Sequence, residues 1–414
     1  MRRRPQSFEI VVVGAGPVGL LFAVQIMRDP RCSDFRLRIV DARSPAPWSA
    51  DQIDARVYAL SRESQQLLGP AWAEVAARRI SPYRRMKVFE GASPVAGREV
   101  CFDAADIGEP NLGHIVEDSL IRSVLLDELG AHGAELEFGA GVDSLDRQNG
   151  RIVLGMNDGS TIGADLVVGA DGTDSHIRSA AGIEIVDKDY RQTAIVAHVQ
   201  SEQPHADTAW QRFLDDGPLA FLPLSDGRSS IVWTLPRGLA DRLLALDDEA
   251  FIAELQTASA GVLGELGPVS RRFSFRLCLR HARRYARSGI VLVGDAAHVV
   301  HPLAGQGMNL GLRDAARLGD TLLSARDAGE YPADERVLRR YERKQKTHNL
   351  VMQLAFDALN EVFGRRFPPA MVPLRQAGMA AIECSAPAKR LLMRRAMGLD
   401  SGSIGGASQP LHGQ

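Results

Sequence analysis

Short runs of Val, Ile and Leu recur along the chain at Ile10–Val13, Leu37–Val40, Leu166–Val168 and Ile290–Val293. Such runs, bounded by turn residues, read as strands buried on both faces of a parallel sheet. Between the first two, Pro17–Arg28 carries apolar residues at helical spacing, so the chain opens on a strand–helix–strand unit. Glu117–Gly130 sets Leu120, Ile121, Val124, Leu125 and Leu129 on one helical face. Arg151–Met156 and Ser160–Ile162 flank Asn157-Asp158-Gly159 and read as a hairpin. An apolar, helix-like run is expected after Arg56.

The pattern changes in the middle. From about Tyr190 to Arg280 it is strand-rich, with Ala194–Val199, Leu219–Leu222 and Ser230–Thr234 as strands and a helical insert over Asp241–Leu263. The segment Pro82–Phe102 is expected to pair with this sheet. Beyond Leu310 the chain reads as mainly helical to about Leu399, with helices over Tyr341–Phe363 and Met371–Met397, and residues 401–414 as a disordered tail.

Length and composition narrow the class. A chain of 414 residues suggests two or three domains at roughly one per 150 residues. It is 45% apolar and 24% charged, as in ordinary soluble enzymes, and its net charge of -2 carries no nucleic-acid footprint. Cys32, Cys101, Cys278 and Cys384 are far apart and form no CxxC pair, which argues against a disulfide framework or zinc site and for a reducing compartment. The basic start MRRRPQSFE lacks the apolar segment of a signal peptide. No uncharged apolar run reaches the ~18 residues needed to cross a bilayer. The expected location is cytoplasmic.

Chemistry enters at two glycine-rich turns. Gly14 to Gly19, GAGPVG, fits G-x-G-x-x-G between a strand and a helix. Gly14 permits the tight turn, Gly16 lets a pyrophosphate approach the backbone, and Gly19 lets helix and strand pack closely. Asp41 lies 22 residues after Gly19, at the end of the second strand, where a carboxylate accepts ribose hydroxyls and repels a 2′-phosphate. FAD or NAD is therefore favoured over NADP. Some 280 residues after Gly14, Gly294 opens GDAAHVVHPLAGQGMNLG, again after a strand and before a helix. Asp295 is placed for sugar-side hydroxyls, with a helix N-cap as its alternative. The backbone of Gly305-Gln306-Gly307-Met308-Asn309 would turn helix N-terminal N–H groups toward an electron-rich ring. Two such turns suit one long cofactor with a redox ring, which points to FAD. His298 and His301 are three apart, but no carboxylate or thiol shares their spacing, so a metal site is rejected.

These signatures, together with Ala170-Asp171-Gly172, Arg56-Val57-Tyr58-Ala59-Leu60-Ser61, Ser81-Pro82-Tyr83-Arg84-Arg85-Met86, Trp210-Gln211-Arg212-Phe213, Gly217–Leu224 and His281-Ala282, resemble the flavoprotein aromatic hydroxylases of the para-hydroxybenzoate hydroxylase fold. Within them, the chain is similar to the hydroxylases of ubiquinone biosynthesis, from about Phe8 to Leu399. Asp41 stands where many relatives carry Glu. The resemblance implies an α/β protein. Residues 8–80, 103–189 and 281–330 would form a discontinuous Rossmann-like FAD-binding domain. Residues 81–102 and 190–280 would form a strand-rich substrate domain, and residues 331–400 a helical C-terminal region. It implies tightly bound, non-covalent FAD and NAD(P)H as a transient co-substrate. It also implies dioxygen, and hydroxylation of a prenylated aromatic substrate through a C4a-hydroperoxyflavin.

The resemblance also assigns residues. Arg56 would contact the FAD pyrophosphate, and Arg122 could reach the same phosphates; the alternatives are a surface arginine and an exposed helical one. Asp171 supports the cofactor or serves a structural turn, with Arg178 as a weaker candidate for the same cluster. His301 would relay a proton or hydrogen-bond near the ring, and Pro302 would shape the oxygen-side turn. Phe221, Pro223 and Trp233 would line an apolar substrate pocket, or simply pack the core. The tail segment with Lys389, Arg390, Arg394 and Arg395 would lie on a membrane surface or dock on other ubiquinone-biosynthesis proteins. A homo-oligomer is left open. Two other readings stay open: a hydroxylase of a soluble aromatic compound, and a low-turnover structural member of a quinone-biosynthesis complex.

Overall fold

The computed structural model describes residues 7–91, 99–300, 306–363 and 369–399. The apolar runs build its first sheet. Ile290–Leu292, Leu166–Gly169, Phe8–Val13, Phe35–Asp41 and Glu135–Phe138 pair in that order, all parallel, with Ala286–Arg287 antiparallel at one edge. Val12, Ile39, Val167, Val168 and Val291 are fully buried, in one core with the helix Pro17–Arg28 and with Ile152, Leu154, Ile162 and Ala164 of the hairpin Arg151–Met156/Thr161–Ala164. The helix Pro17–Arg28 crosses between the first two strands as expected. The register sets Val13 beside Gly169 and Gly169 beside Leu292. The turns at residues 14, 41, 170 and 293 therefore leave the sheet along one edge, its carboxyl end, where α/β sheets bind ligands.

The second sheet runs Phe273–Ala282, Ile185–Ser201, Ser229–Pro236, Gly217–Pro223, Thr208–Leu214, Arg85–Glu90 and Glu99–Asp103. His298–Val299 extends it on Phe273–Ala282. Arg85–Glu90 pairs in parallel with Thr208–Leu214, so part of Pro82–Phe102 joins this sheet, while residues 92–98 lie outside the described residues. The expected insert is two helices, Arg237–Leu244 and Asp248–Ser259, packed on one face.

That face corrects the expected substrate pocket. Side chains alternate along a strand, and the register sets Ile195 beside Trp233, Trp233 beside Leu219, and Phe221 beside Ile231. All of these pack with Phe251 and Leu255 of the insert, and the Trp233 and Phe251 rings meet edge to face at 6.1 Å. Phe221 and Trp233 are thus core residues turned toward the insert. Pro223, two residues from Phe221, shares its side of the strand. The opposite face carries Ala220, Leu222 and Val232. There Leu222 packs with Ala59 and Ile115, and Phe213 packs with Val300 and Leu310. The face of the second sheet that meets the elements of the two glycine turns is therefore the one opposite to the expected one.

Val57–Ser61 is a strand rather than a helix-like run. It pairs with Gly113–Glu117, which also pairs with Ser81–Tyr83. Val57 and Ala59 pack on one side and Tyr58 and Leu60 on the other, the two-residue period of a strand. The hairpin Arg151–Met156/Thr161–Ala164 forms and gains a third strand, Val142–Gln148. The C-terminal region is helical over Gln306–Asp327, Glu335–Phe363, Val372–Cys384 and Ala386–Ala396. The single helix expected over Met371–Met397 breaks at Ser385, which caps the next helix just before Pro387.

Candidate functional site

The first turn is built from what glycine lacks. Gly14 has φ +111°, and a Cβ there would lie 2.3 Å from the Ala170 carbonyl oxygen. A Cβ on Gly19 would lie 2.4 Å from the Gly14 carbonyl oxygen. Protein therefore fills the space at both positions. At Gly16 a Cβ would meet nothing within 4 Å, so the turn opens there, at the start of Pro17–Arg28. An open N-terminus of this kind suits a phosphate. Asp41 braces the turn: its Oδ2 accepts from Ala15 N at 2.8 Å and its Oδ1 from Arg43 N at 2.9 Å. Each oxygen keeps a lone pair for a ribose hydroxyl.

Arg56 heads a charged chain along the same edge. Its guanidinium lies 5.4 Å from the Tyr58 ring centroid. The Tyr58 hydroxyl donates to Asp118 Oδ1 at 2.7 Å, and Arg122 pairs with Asp118 Oδ2 at 2.6 Å. Tyr58, then Asp118 and Asp295, hold Arg56 more firmly protonated than usual against its desolvation. Arg56 stays solvent-exposed although these groups surround it. Arg122 spends its charge on Asp118, one step removed from Arg56.

Asp295 lies in the single turn Gly294–Ala296, between buried neighbours, and is itself partly accessible. It therefore ends a strand turn rather than capping a helix, since the next long helix starts at Gln306. Burial pushes its carboxyl above the usual range, with Arg56 and His298 pulling it back. Asp171 is taken up locally. Its Oδ1 accepts from Ser175 Oγ at 2.5 Å and its Oδ2 from Ile177 N at 3.0 Å, so it braces the start of the helix His176–Ala180, whose cap is Ser175. The part of Ala170-Asp171 turned to the glycine turn is backbone. Arg178 donates to the carbonyls of Ala296 and Thr173, each at 3.0 Å, and so belongs to the Asp295 turn.

Gln306, Gly307, Met308 and Asn309 form the first turn of Gln306–Asp327. Asn309 Oδ1 accepts from Ser61 N at 2.9 Å and from Ser64 Oγ at 2.7 Å, and its Nδ2 donates to Ala59 O at 3.0 Å. This ties the helix start to the strand that follows Arg56. Gln306 and Asn309 also line a cavity of about 260 Å³ with Leu310, Met352 and Arg395. His301, Pro302 and Gly305 lie outside the described residues.

His298 is buried, and its Nε2 meets Asp314 Oδ2 at 2.5 Å. Burial alone would lower its pKa; the charge and hydrogen bond of Asp314 outweigh that and hold it above the ordinary histidine value. The histidine thus has a carboxylate partner that its sequence spacing did not reveal. Among the described residues, no three His, Cys, Asp or Glu side chains cluster as a metal site. Tyr58, Asp118 and Asp314 were all missed. Asp314 had one signal, a charge inside the buried run Leu310–Ala316.

The residues present fit FAD: an open glycine turn, an acid at the end of the second strand, an exposed guanidinium and a second acid share one edge. Comparison with known proteins agrees. Residues 92–354 match the family described as FAD binding domain. The chain is 36% identical over 398 residues to 3-demethoxyubiquinol 3-hydroxylase of Escherichia coli, covering 95% of this chain and 99% of that protein. It is 38% identical over 393 residues to ubiquinone hydroxylase UbiL of Rhodospirillum rubrum, covering 94% and 89%. Among solved structures, p-nitrophenol 4-monooxygenase from Pseudomonas putida superposes with a TM-score of 0.74 at 16% identity, covering 95% of this chain and 99% of that one. That last likeness shows the fold alone.

Proposed function

The chain belongs to the FAD-dependent hydroxylases of the ubiquinone-biosynthesis family, and on that footing we propose that it hydroxylates the aromatic ring of a polyprenylated phenol or benzoquinol. Dioxygen and NAD(P)H are the co-substrates. The observation that carries the reading is that Gly16, Asp41 and Asp295 stand at or just after strand ends at one edge of the first sheet, with Arg56 beside Asp295. FAD, when bound, supplies the redox chemistry with hydride and dioxygen. The protein supplies position, charge and dryness. In this reading Gly16 admits the pyrophosphate, with Arg56 as its counter-charge. Asp41 accepts from the ribose of the adenosine end, and Asp295 from hydroxyls nearer the ring. The N–H groups of the Gln306–Asn309 turn stabilise negative charge on the ring by the partial positive charge of a helix N-terminus, roughly half an elementary charge. His301 is assigned a proton-handling role on the substrate side and Pro302 the shape of that turn. The wall that excludes water is the sheet face of Phe213, Ala220, Leu222 and Val232. An apolar wall limits wasteful loss of activated oxygen.

The test is direct. Purified protein reconstituted with FAD should oxidise NAD(P)H faster when a short-chain prenylated phenol is added and return that phenol with one added oxygen atom. Equal or better turnover of a water-soluble phenol would overturn the substrate assignment.

We assign the C-terminal helices a peripheral membrane role. No helix among the described residues is long and apolar enough to cross a bilayer. Yet Leu350, Val351, Leu354, Leu374, Leu391 and Leu392 are exposed. On Ala386–Ala396, Lys389 and Met393 turn inward, Lys389 donating to Cys101 O and Glu383, while Arg390, Leu391, Leu392 and Arg394 are exposed. An outward face of leucines and arginines suits an anionic bilayer. Vesicles containing anionic lipid should bind the protein, and Leu391→Ser with Leu392→Ser should weaken that binding; unchanged binding would remove the assignment.

A further inference from the structure

Asp295 is a loop residue, and its carboxylate can serve the cofactor only if the turn around it is held. The backbone on either side of it is gripped from below. Gly294 N donates to Asp314 Oδ2 at 2.9 Å, and the Ala296 carbonyl accepts from Arg178 at 3.0 Å. Gly294 has φ +58°, and a Cβ there would meet Val18 at 3.3 Å. A Cβ on Gly311 would lie 2.7 Å from the same valine. The turn is therefore pressed onto the helices Pro17–Arg28 and Gln306–Asp327 with no room for adjustment. Asp314 is fully buried one turn further along the second helix. Besides Gly294 N, it accepts from His298 Nε2 at 2.5 Å and from Asn349 Nδ2 at 3.1 Å. Asn349 is held in turn by Gln345 at 3.0 Å. A buried carboxylate is costly unless several donors converge on it, and here three do, from three different elements.

We propose that Asp314 is a positioning residue: it locks the Gly294–Ala296 turn and His298 together, and so fixes the direction in which Asp295 meets the cofactor. This rests on the reading of Asp295 as a cofactor ligand. Asp314 is fully buried and its carboxylate is taken up by three protein donors, so it acts from behind the turn. Its influence on FAD must pass through the turn.

The experiment is a double-mutant cycle on the full chain, reading the FAD dissociation constant by flavin fluorescence titration of apoprotein, with the apoprotein melting temperature as a second readout. Asp295→Asn removes the direct contact. Asp314→Asn keeps the shape and removes the carboxylate that collects the donors. Asp314→Asn should weaken FAD binding about tenfold, and the pair should couple, so that in the Asp295→Asn background the same change costs little more. Equal costs of Asp314→Asn in both backgrounds, or an FAD affinity that Asp314→Asn leaves unchanged, would overturn the proposal. Should Asp314→Asn fail to fold, His298→Gln takes its place in the cycle, with the same two outcomes. No substrate or NAD(P)H enters these titrations, so failure of the hydroxylation reading would leave the coupling intact and distinguishable. An Asp295→Asn variant with unchanged affinity would instead defeat the cofactor-ligand reading on which the proposal rests.

Discussion

The two glycine turns at the sheet edge meet the same task by opposite means. The turn at Gly14–Gly19 holds itself. Its shape comes from backbone packed against backbone where a Cβ would collide, and its one acid, Asp41, bonds an amide of the turn itself. The turn at Gly294–Ala296 is held by others. Arg178 and Asp314 reach its backbone through side chains, and His298 and Asn349, from two further elements, hold Asp314 in turn. A steric turn is rigid and insensitive to charge. A turn held by buried charge is rigid only while its network keeps its protonation state.

The sharpest way to break the comparison is Gly14→Ala. A left-handed backbone and a carbonyl at 2.3 Å leave no room, so the apoprotein should lose about 3 kcal/mol or more in urea denaturation. Arg178→Met should cost about 2 kcal/mol, because the Ala296 and Thr173 carbonyls lose a charged donor in a buried setting; a loss within error of zero would mean the second turn does not need its scaffold. Third is pH. His298 titrates above its ordinary value of 6.5, so its contribution is complete below pH 6.5 and fades as pH rises through the folded-state value. Apoprotein stability should therefore decline on the alkaline side, and His298→Gln should flatten that decline. The mildest change is Gly16→Ala. Its Cβ meets nothing and its φ of -78° is open to any residue, so apoprotein stability should fall by no more than about 1 kcal/mol, the cost of alanine in place of glycine at a helix N-cap. FAD affinity should nevertheless fall, since the methyl group enters the space assigned to the pyrophosphate. Equal affinity would reassign that space.

How much was legible follows the same division. Each parallel strand, the crossover helix and the run from Gly14 to Asp41 is written in its own local stretch, where apolar runs and glycine sterics act over a few residues. The strand Val57–Ser61 was misread because its pairing partner, Gly113–Glu117, lies far along the chain. Trp233 and Phe221 were misjudged for a related reason. A strand's alternation says that two faces differ, but not which of them a helical insert will cover. Helices Arg237–Leu244 and Asp248–Ser259 made that choice.

The sequence by itself determined the α/β class, the cofactor-binding first turn and the presence of a second acid at a strand end, because each depends on residues close in the chain. Only the tertiary structure decided which sheet face meets the cofactor-binding elements, and that Asp314 stands beneath Asp295 while Arg178 holds the same turn. Those contacts join residues from 16 to 118 positions apart, and nothing in linear order encodes the angle at which two helices and a sheet converge.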